Sequence, residues 1–458
     1  MSHGFRAGIA SDGALAKRAL ADVGVSAERA QVASVRQPEL RPSSSDPPRV
    51  GPHRPSAKRA VRPRPWPAWA RWNDTRGERY TLGVEEEVIL VDPATWSLAQ
   101  SSDGVLSQLS DALMLHASAE THAGVIELKT DVHGDVSGVI AELASLRTRL
   151  GLELSTHALA AAATGTHPLT LREETELSSS PRYLLLGDSL RALVRREPTM
   201  ALHVHVGVPT AEDAVRLLNG LRRSLPVLIA LSANSPFWRG TDSGFASVRT
   251  VIFQSFPRTG LPRVFARYQD YVEAIGAVID AGAVTDPSFF WWDVRLQPEL
   301  GSVEVRVMDA QSSLRDVAPL VALIQSLARL ELESDFSPVT PSPETLAENR
   351  FLASRDGMGA ELIDTTTRRL VPIREMLAVL LAQCRPHARA LGCADALDRA
   401  ADLGAANGAD RQRAIAARNG SLDDLVASLT SQFLAPADIF ATGDFALNTL
   451  DNHSERSG

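Results

Sequence analysis

Four segments of this chain set apolar residues against acids, imidazoles or a guanidinium in strict alternation. That pattern restricts the fold more than any other feature. In a β-strand, alternate side chains share a face. In TLGVEEEVILVD, residues 81–92, Glu85 and Glu87 point one way and Val84, Glu86 and Val88 the other. In GVIELKTDV, 124–132, Glu127 and Lys129 oppose Ile126 and Leu128. In ALHVHVGV, 201–208, His203 and His205 oppose Val204, Val206 and Val208. In GSVEVRVMD, 301–309, Glu304 and Arg306 oppose Val303, Val305 and Val307. One such strand reads as a solvated outer face. Four predict a sheet with one side packed on helices and the other forming a concave polar floor of Glu85, Glu87, Glu127, His203, His205, Glu304 and Arg306. Glu85 and Glu87, about 7 Å apart along a strand, are hard oxygen donors of the kind that suits Mg²⁺ or Mn²⁺. Carboxylates gathered on one floor repel unless cations neutralise them, so bound metal is expected.

Helical periodicity fills the gaps, over 136–163, 211–233 with an interruption at Pro226, 316–333, and most of the chain beyond about 343, where a Gly/Asn-rich break falls near 404–408. FFWWDVRLQP, 289–298, precedes the fourth segment across a turn at Glu299–Ser302, which reads as a hairpin. The fold class is therefore α+β with an antiparallel sheet. Thr210 is placed to cap the helix after the His strand.

Residues 1–75 read differently. They are rich in Pro, Ser and Arg, and positions 1–72 hold 13 Lys and Arg against five acids. Such a stretch buries too little apolar surface to offset its ordering entropy. The expected organisation is a disordered tail over 1–75, an ordered domain over 76–445 and a flexible tail over 446–458. A net charge of −8 argues against nucleic-acid binding. No apolar run reaches membrane-spanning length, and the N-terminus carries no signal-peptide pattern, so cytoplasmic residence is expected. Cys384 and Cys393 are too few for a disulfide framework or a zinc site and read as buried thiols. HExxH, P-loop, dinucleotide and GxSxG signatures are absent.

Taken together, TLGVEEEVILVD, HVHVGVPTAEDAVRLLNGLR, LSANSPFWRGTDSGFASVRT, WWDVRLQPELGSVEVRVMD and ENRFLASRDGMGAELID resemble the bacterial carboxylate-amine ligases of the glutamate–cysteine ligase type 2 family, over most of 80–385. The resemblance implies a glutamine synthetase-like fold, a curved antiparallel sheet with helices on its outer face. Glu85, Glu87, Leu90 and Asp92 match the acidic strand of that superfamily, and His203 and His205 its His-x-His strand. Glu304 with Arg306 matches its basic–acidic pair less closely. The third strand departs from the pattern, with Lys129 and Asp131 where less charged residues are expected.

The implied reaction joins the γ-carboxylate of glutamate to the amine of cysteine, or of another amino compound, through an acyl phosphate made from ATP. The implied roles are Glu85, Glu87, Glu127, Glu304 and His203 for Mg²⁺, with Mn²⁺ as the substitute ion. His203, His205 and Arg249 serve the nucleotide, Arg306 and Glu304 the chemistry, and Asn234 and Trp238 the substrate pocket. For these last two, a helix cap and core packing are the plainer readings. Core packing is also expected of Trp291 and Trp292. Two rivals stay open: a phosphotransferase on the same fold, and a non-catalytic metal-binding protein. The amine and the oligomeric state, a homo-oligomer included, are not set by the sequence.

Overall fold

The computed structural model describes residues 66–74, 79–334 and 341–436. All of them belong to the second of the chain's two units, Arg64–Gly458. Most of the expected N-terminal tail and the whole C-terminal tail lie outside the described residues. The expected tail boundary at 75 falls too late, because residues 66–74 are already packed. Trp66 and Trp72 meet the Tyr268 ring edge-on, Trp69 meets Tyr271, and the Tyr268 hydroxyl donates to Ala70 O at 2.8 Å.

The main sheet has seven strands: β1 (Leu82–Val91), β2 (Ala117–Ala119), β3 (Val125–Lys129), β4 (Ala160–Ala162), β5 (Ala201–Gly207), β6 (Val294–Gln297) and β7 (Ser302–Asp309). Their order is β6–β7–β5–β1–β3–β2, and β4 pairs with the last residues of β1. Every pairing is antiparallel. The expected hairpin joins β6 to β7, and Gly301 takes the left-handed backbone its turn requires (φ 65°).

The helices that matter to the site and its support are α1 (Val136–Ser155), α2 (Pro181–Leu190), α3 (Ala211–Leu221), α4 (Leu225–Ser232), α5 (Val248–Phe253), α6 (Tyr268–Asp280) and α7 (Leu314–Glu333). Val84, Val204, Val206, Val303 and Val305 form one core with apolar residues of α1, α3, α4, α6 and α7. The alternation thus puts these valines against helices, as expected. Thr210 caps α3 by accepting from Asp213 N, and Pro226 sits in the first turn of α4, where its missing N–H leaves no bond unmade. Cys384 and Cys393 are buried and unpaired.

Two segments depart from the sequence expectation. The helix predicted over 136–163 stops at Ser155. Ala158 then adopts a left-handed conformation (φ 54°), and Ala160–Ala162 turn into β4. The helical C-terminal region contains a two-stranded hairpin, Glu361–Asp364 with Arg369–Pro372.

Glu86 shares the helix-facing side with the valines and is fully buried there. Its partner is Arg147 of α1, also buried, which donates through Nε to Glu86 Oε2 at 2.8 Å and through Nη2 to Oε1. Arg147 also donates to Gln311 O at 2.8 Å and Ser312 O at 3.0 Å, and its guanidinium lies over the Phe433 ring. An ion pair with this many fixed partners is satisfied even without water.

Candidate active site

Cross-strand register decides which polar side chains meet. Glu85 lies opposite Lys129 on β3 and His203 on β5. Glu87 lies opposite Glu127, which lies opposite Ser118 on β2. Toward the other edge, His205 lies opposite Glu304, and Glu304 opposite Arg295. Between Val305 and Met308 the register with β5 gains one residue on β7. Arg306 sits in this bulge, its backbone N–H turned to Asp293 O at 2.8 Å. A bulge re-aims the side chain it carries, and here the Arg306 guanidinium reaches Glu304 and comes within 3.5 Å of His203 Nδ1.

These residues border a cavity of about 560 Å³. Glu85, Glu87, Glu127, Lys129, His203, Arg295 and Arg306 come from the sheet. Arg182, Tyr183, Leu186 and Leu190 come from α2, Arg249 and Phe253 from α5, and Trp291 from the segment before β6. Of the residues expected at the site, Glu85, Glu87, Glu127, His203, Arg249 and Arg306 therefore converge. Glu304 and His205 lie in the layer beneath, outside the lining. Glu304 is fully buried and accepts from Arg295 Nε at 3.0 Å, from Gln297 and from Arg306. It aims two guanidiniums, and with Glu85 and His205 it also offers ligand atoms that all lie within 4.8 Å of one another.

Asn234 and Trp238 do not line the cavity. The Asn234 side chain donates to Ala310 O at 2.7 Å and Ser312 Oγ at 3.1 Å and accepts from Gln412 at 2.8 Å. Its backbone N–H and the Ser235 hydroxyl both donate to Asp309, at 2.8 and 2.7 Å. The SANSP loop is thus anchored to the end of β7. Trp238 lies under the Arg239 guanidinium, 5.1 Å from centroid to Cζ. Trp292 packs on the core, whereas Trp291, expected in the core, borders the cavity.

The cavity also exposes groups that the strand pattern did not reveal. Glu120, from the loop between β2 and β3, comes within metal-sharing reach of Glu87 and Glu127. Arg182, Tyr183 and Glu197 arrive from segments whose approach depends on tertiary packing. Arg295 had a legible signal, because VRLQ alternates like the other four strands.

Burial opposes charge on Glu85, but the His203 and His205 rings outweigh it and hold its carboxyl well below the usual range. The same contest at Glu304 is won by Arg295 and Arg306, which also depress it. Glu87 and Glu127 behave in the opposite way. Burial, with Glu120 and Glu127, pushes Glu87 well up. Burial, with Glu85 and Glu120 and against the pull of Lys129, pushes Glu127 to about 8. Burial, reinforced by Arg306, lowers His203 to about 4, so its ring is neutral and can serve as a ligand. The neutralising charge expected from metal is thus built into the chain at the Glu85–Glu304 end. At the Glu87–Glu120–Glu127 end it comes only from Lys129 beside Glu127 and from more distant guanidiniums, and does not offset burial. That trio of oxygens fits a divalent cation, as does the group of Glu85, Glu127 and His203. The buried His203 Nε2, with no hydrogen-bond partner, lies 3.7 Å from Glu87 Oε1, between the two.

These shifts set a sign for stability. A carboxyl raised by folding binds a proton that the unfolded chain has released. Its contribution is present in full below the unfolded pKa and is lost as pH rises through the folded one. From pH 7 to 8.5, Glu127 alone removes about 1 kcal/mol by this linkage, and Glu87 and the raised His205 act in the same direction. Urea unfolding of the metal-free protein at the two pH values should show that loss, and Glu127→Gln or added Mg²⁺ should remove most of it.

Residues 81–429 match the family model described as glutamate–cysteine ligase family 2. The chain belongs to that family. A member from Rubrobacter xylanophilus, provisionally named glutamate–cysteine ligase 2-1, is 39% identical over 319 residues, covering 69% of this chain and 85% of the relative. A provisionally named glutamate–cysteine ligase 2 from Thermobifida fusca is 35% identical over 375 residues, 79% of this chain and 92% of its own. The fold of this family member is also that of more distant solved structures. A glutamate–cysteine ligase from Francisella tularensis, crystallised with AMP, superimposes with a TM-score of 0.57 at 12% identity, covering 79% of this chain and 91% of that one. A bifunctional glutathione synthetase from Pasteurella multocida gives 0.56 at 13% identity, over 80% and 53% of the two chains. The glutamine synthetase-like α+β fold expected from the sequence is the fold observed. No helix among the described residues is long and apolar enough to cross a membrane.

Proposed function

We propose that this protein is an ATP-dependent carboxylate–amine ligase, joining the γ-carboxylate of glutamate to the amine of cysteine or of another small amine. The observation that carries this reading is a single cavity bordered by the Glu87–Glu120–Glu127 oxygens and by the guanidiniums of Arg182, Arg249, Arg295 and Arg306. One set of groups suits a divalent cation, the other phosphate and carboxylate anions.

In this reading Glu87, Glu120, Glu127 and His203 hold Mg²⁺, or Mn²⁺ in its place. A cation bound there offsets the repulsion between ATP and an incoming carboxylate. Arg306, its aim fixed by Glu304, stabilises the oxygens of the transferring phosphoryl group. Arg249 is anchored by its donations to Val307 O and Arg306 O, both at 3.2 Å, and its buried Nε has no partner. It is suited to a phosphate or a substrate carboxylate. The γ-carboxylate attacks the γ-phosphorus and ADP leaves. The amine then adds to the acyl phosphate, loses a proton, and phosphate departs as the amide forms.

The test is a panel of amines incubated with ATP, Mg²⁺ and glutamate. One phosphate released per product, with a product mass equal to glutamate plus amine less water, is expected. ADP with a stable phosphorylated acceptor would instead make the protein a phosphotransferase. Absence of ATP turnover with every amine would reject both.

A further inference from the structure

Lys129 stands beside Glu85 in the sheet register and borders the cavity. Its ammonium lies 2.6 Å from Glu127 Oε2 and 3.5 Å from Glu85 Oε1. Those two carboxylates and His203 offer ligand atoms that all lie within 4.8 Å of one another, a grouping that could hold an ion by itself. His203 is 2% exposed and its Nε2 has no partner. We propose that the Lys129 ammonium is a resident cation occupying the place between Glu85 and Glu127, so that this end of the floor takes no divalent ion and the metal collects at Glu87–Glu120–Glu127.

Two arguments carry this. An ammonium within hydrogen-bond distance of a carboxylate takes an oxygen that a metal needs, and a divalent ion placed between Glu85 and Glu127 would contend for the same space and be repelled by it. Glu127, held by Lys129 and Ser118 through Oε2, can instead serve the neighbouring trio through its other oxygen. The charges are also unevenly shared: Glu85 has Lys129 and two imidazoles near it, whereas Glu120 and Glu87 have no ammonium or guanidinium within ion-pair distance among the described residues. The inference rests on the metal-dependent reading above, and its test separates the two.

Mn²⁺ bound per chain would be counted by electron paramagnetic resonance in the presence of a non-hydrolysable ATP analogue. The Lys129→Met protein should bind one more Mn²⁺ than the parent. Lys129→Cys should do the same, and alkylation with bromoethylamine, which rebuilds an ammonium on the side chain, should return the count to that of the parent. Cys384 and Cys393 are buried, so the folded protein directs the reagent to position 129. Equal, non-zero counts in parent and variants would overturn the role of Lys129 and leave the metal-dependent reading standing. So would an unchanged count with weaker analogue binding, which would make Lys129 a phosphate contact. A parent that binds neither Mn²⁺ nor the analogue would overturn both.

Discussion

Glu87→Gln is expected to reduce Mg²⁺-dependent turnover by roughly 10²–10³-fold, the usual loss when a charge-stabilising group is removed from a buried reaction centre, while the metal-free protein unfolds at an unchanged urea concentration. The two halves of this result have one cause. Burial and Glu120 raise Glu87 well above the usual carboxylate range and so favour its neutral form when no ion is bound. A glutamine is close in shape to that neutral acid and can still accept the Ala201 N–H that Glu87 accepts at 2.7 Å. Only the state that must release the proton to hold a cation is lost. Steady-state turnover against Mg²⁺ concentration, alongside unfolding curves, checks both. Full activity in the variant would remove Glu87 from the metal site, and a large loss of stability would show that it is ionised in the resting protein.

The second large effect lies on the opposite side of the same strand. Arg147→Met is expected to destabilise the fold by about 3–5 kcal/mol, because it strands the Glu86 carboxylate in the core. The double substitution Glu86→Met with Arg147→Met should recover most of that loss, since replacing both ions by apolar groups of similar length removes the desolvation penalty. Urea midpoints of the parent, the single and the double variant measure the difference. A double variant no better than the single would show that the donations from Arg147 to Gln311 O and Ser312 O, rather than the ion pair, hold α1 to its neighbours.

The floor was legible because period-2 alternation is a property of the local chain. Glu85, Glu87, Glu127, His203 and Arg306 needed only the assumption that four segments pair. Two things hid the rest. Glu120, Arg182 and Tyr183 enter from a loop and a helix, so their arrival depends on tertiary approach that no local pattern encodes. Asn234 belongs to a run resembling substrate-side loops, yet its side chain is used up in bonds to residues 310, 312 and 412, which are distant in sequence. Arg147 did leave a trace: it sits among Ile140, Leu143, Leu146 and Leu150 on the buried stripe of α1, a position where an arginine requires a partner. Glu86, read as one of three adjacent acids, was that partner. Alanines 160–163 were misread because helix propensity favours alanine, whereas pairing with the end of β1 decided the outcome.

The three successive glutamates of β1 have separate fates fixed by odd and even position alone: Glu85 and Glu87 toward the cavity, Glu86 toward α1. Single substitutions along this segment therefore damage one side or the other. Gain or loss of one residue between Leu82 and Glu85 would move all three by one place: a glutamate would still face the core arginine, but a valine would replace one of the two acids that β1 gives the reaction chamber. Descendants of this sequence are free to vary the letters of this stretch far more than its length.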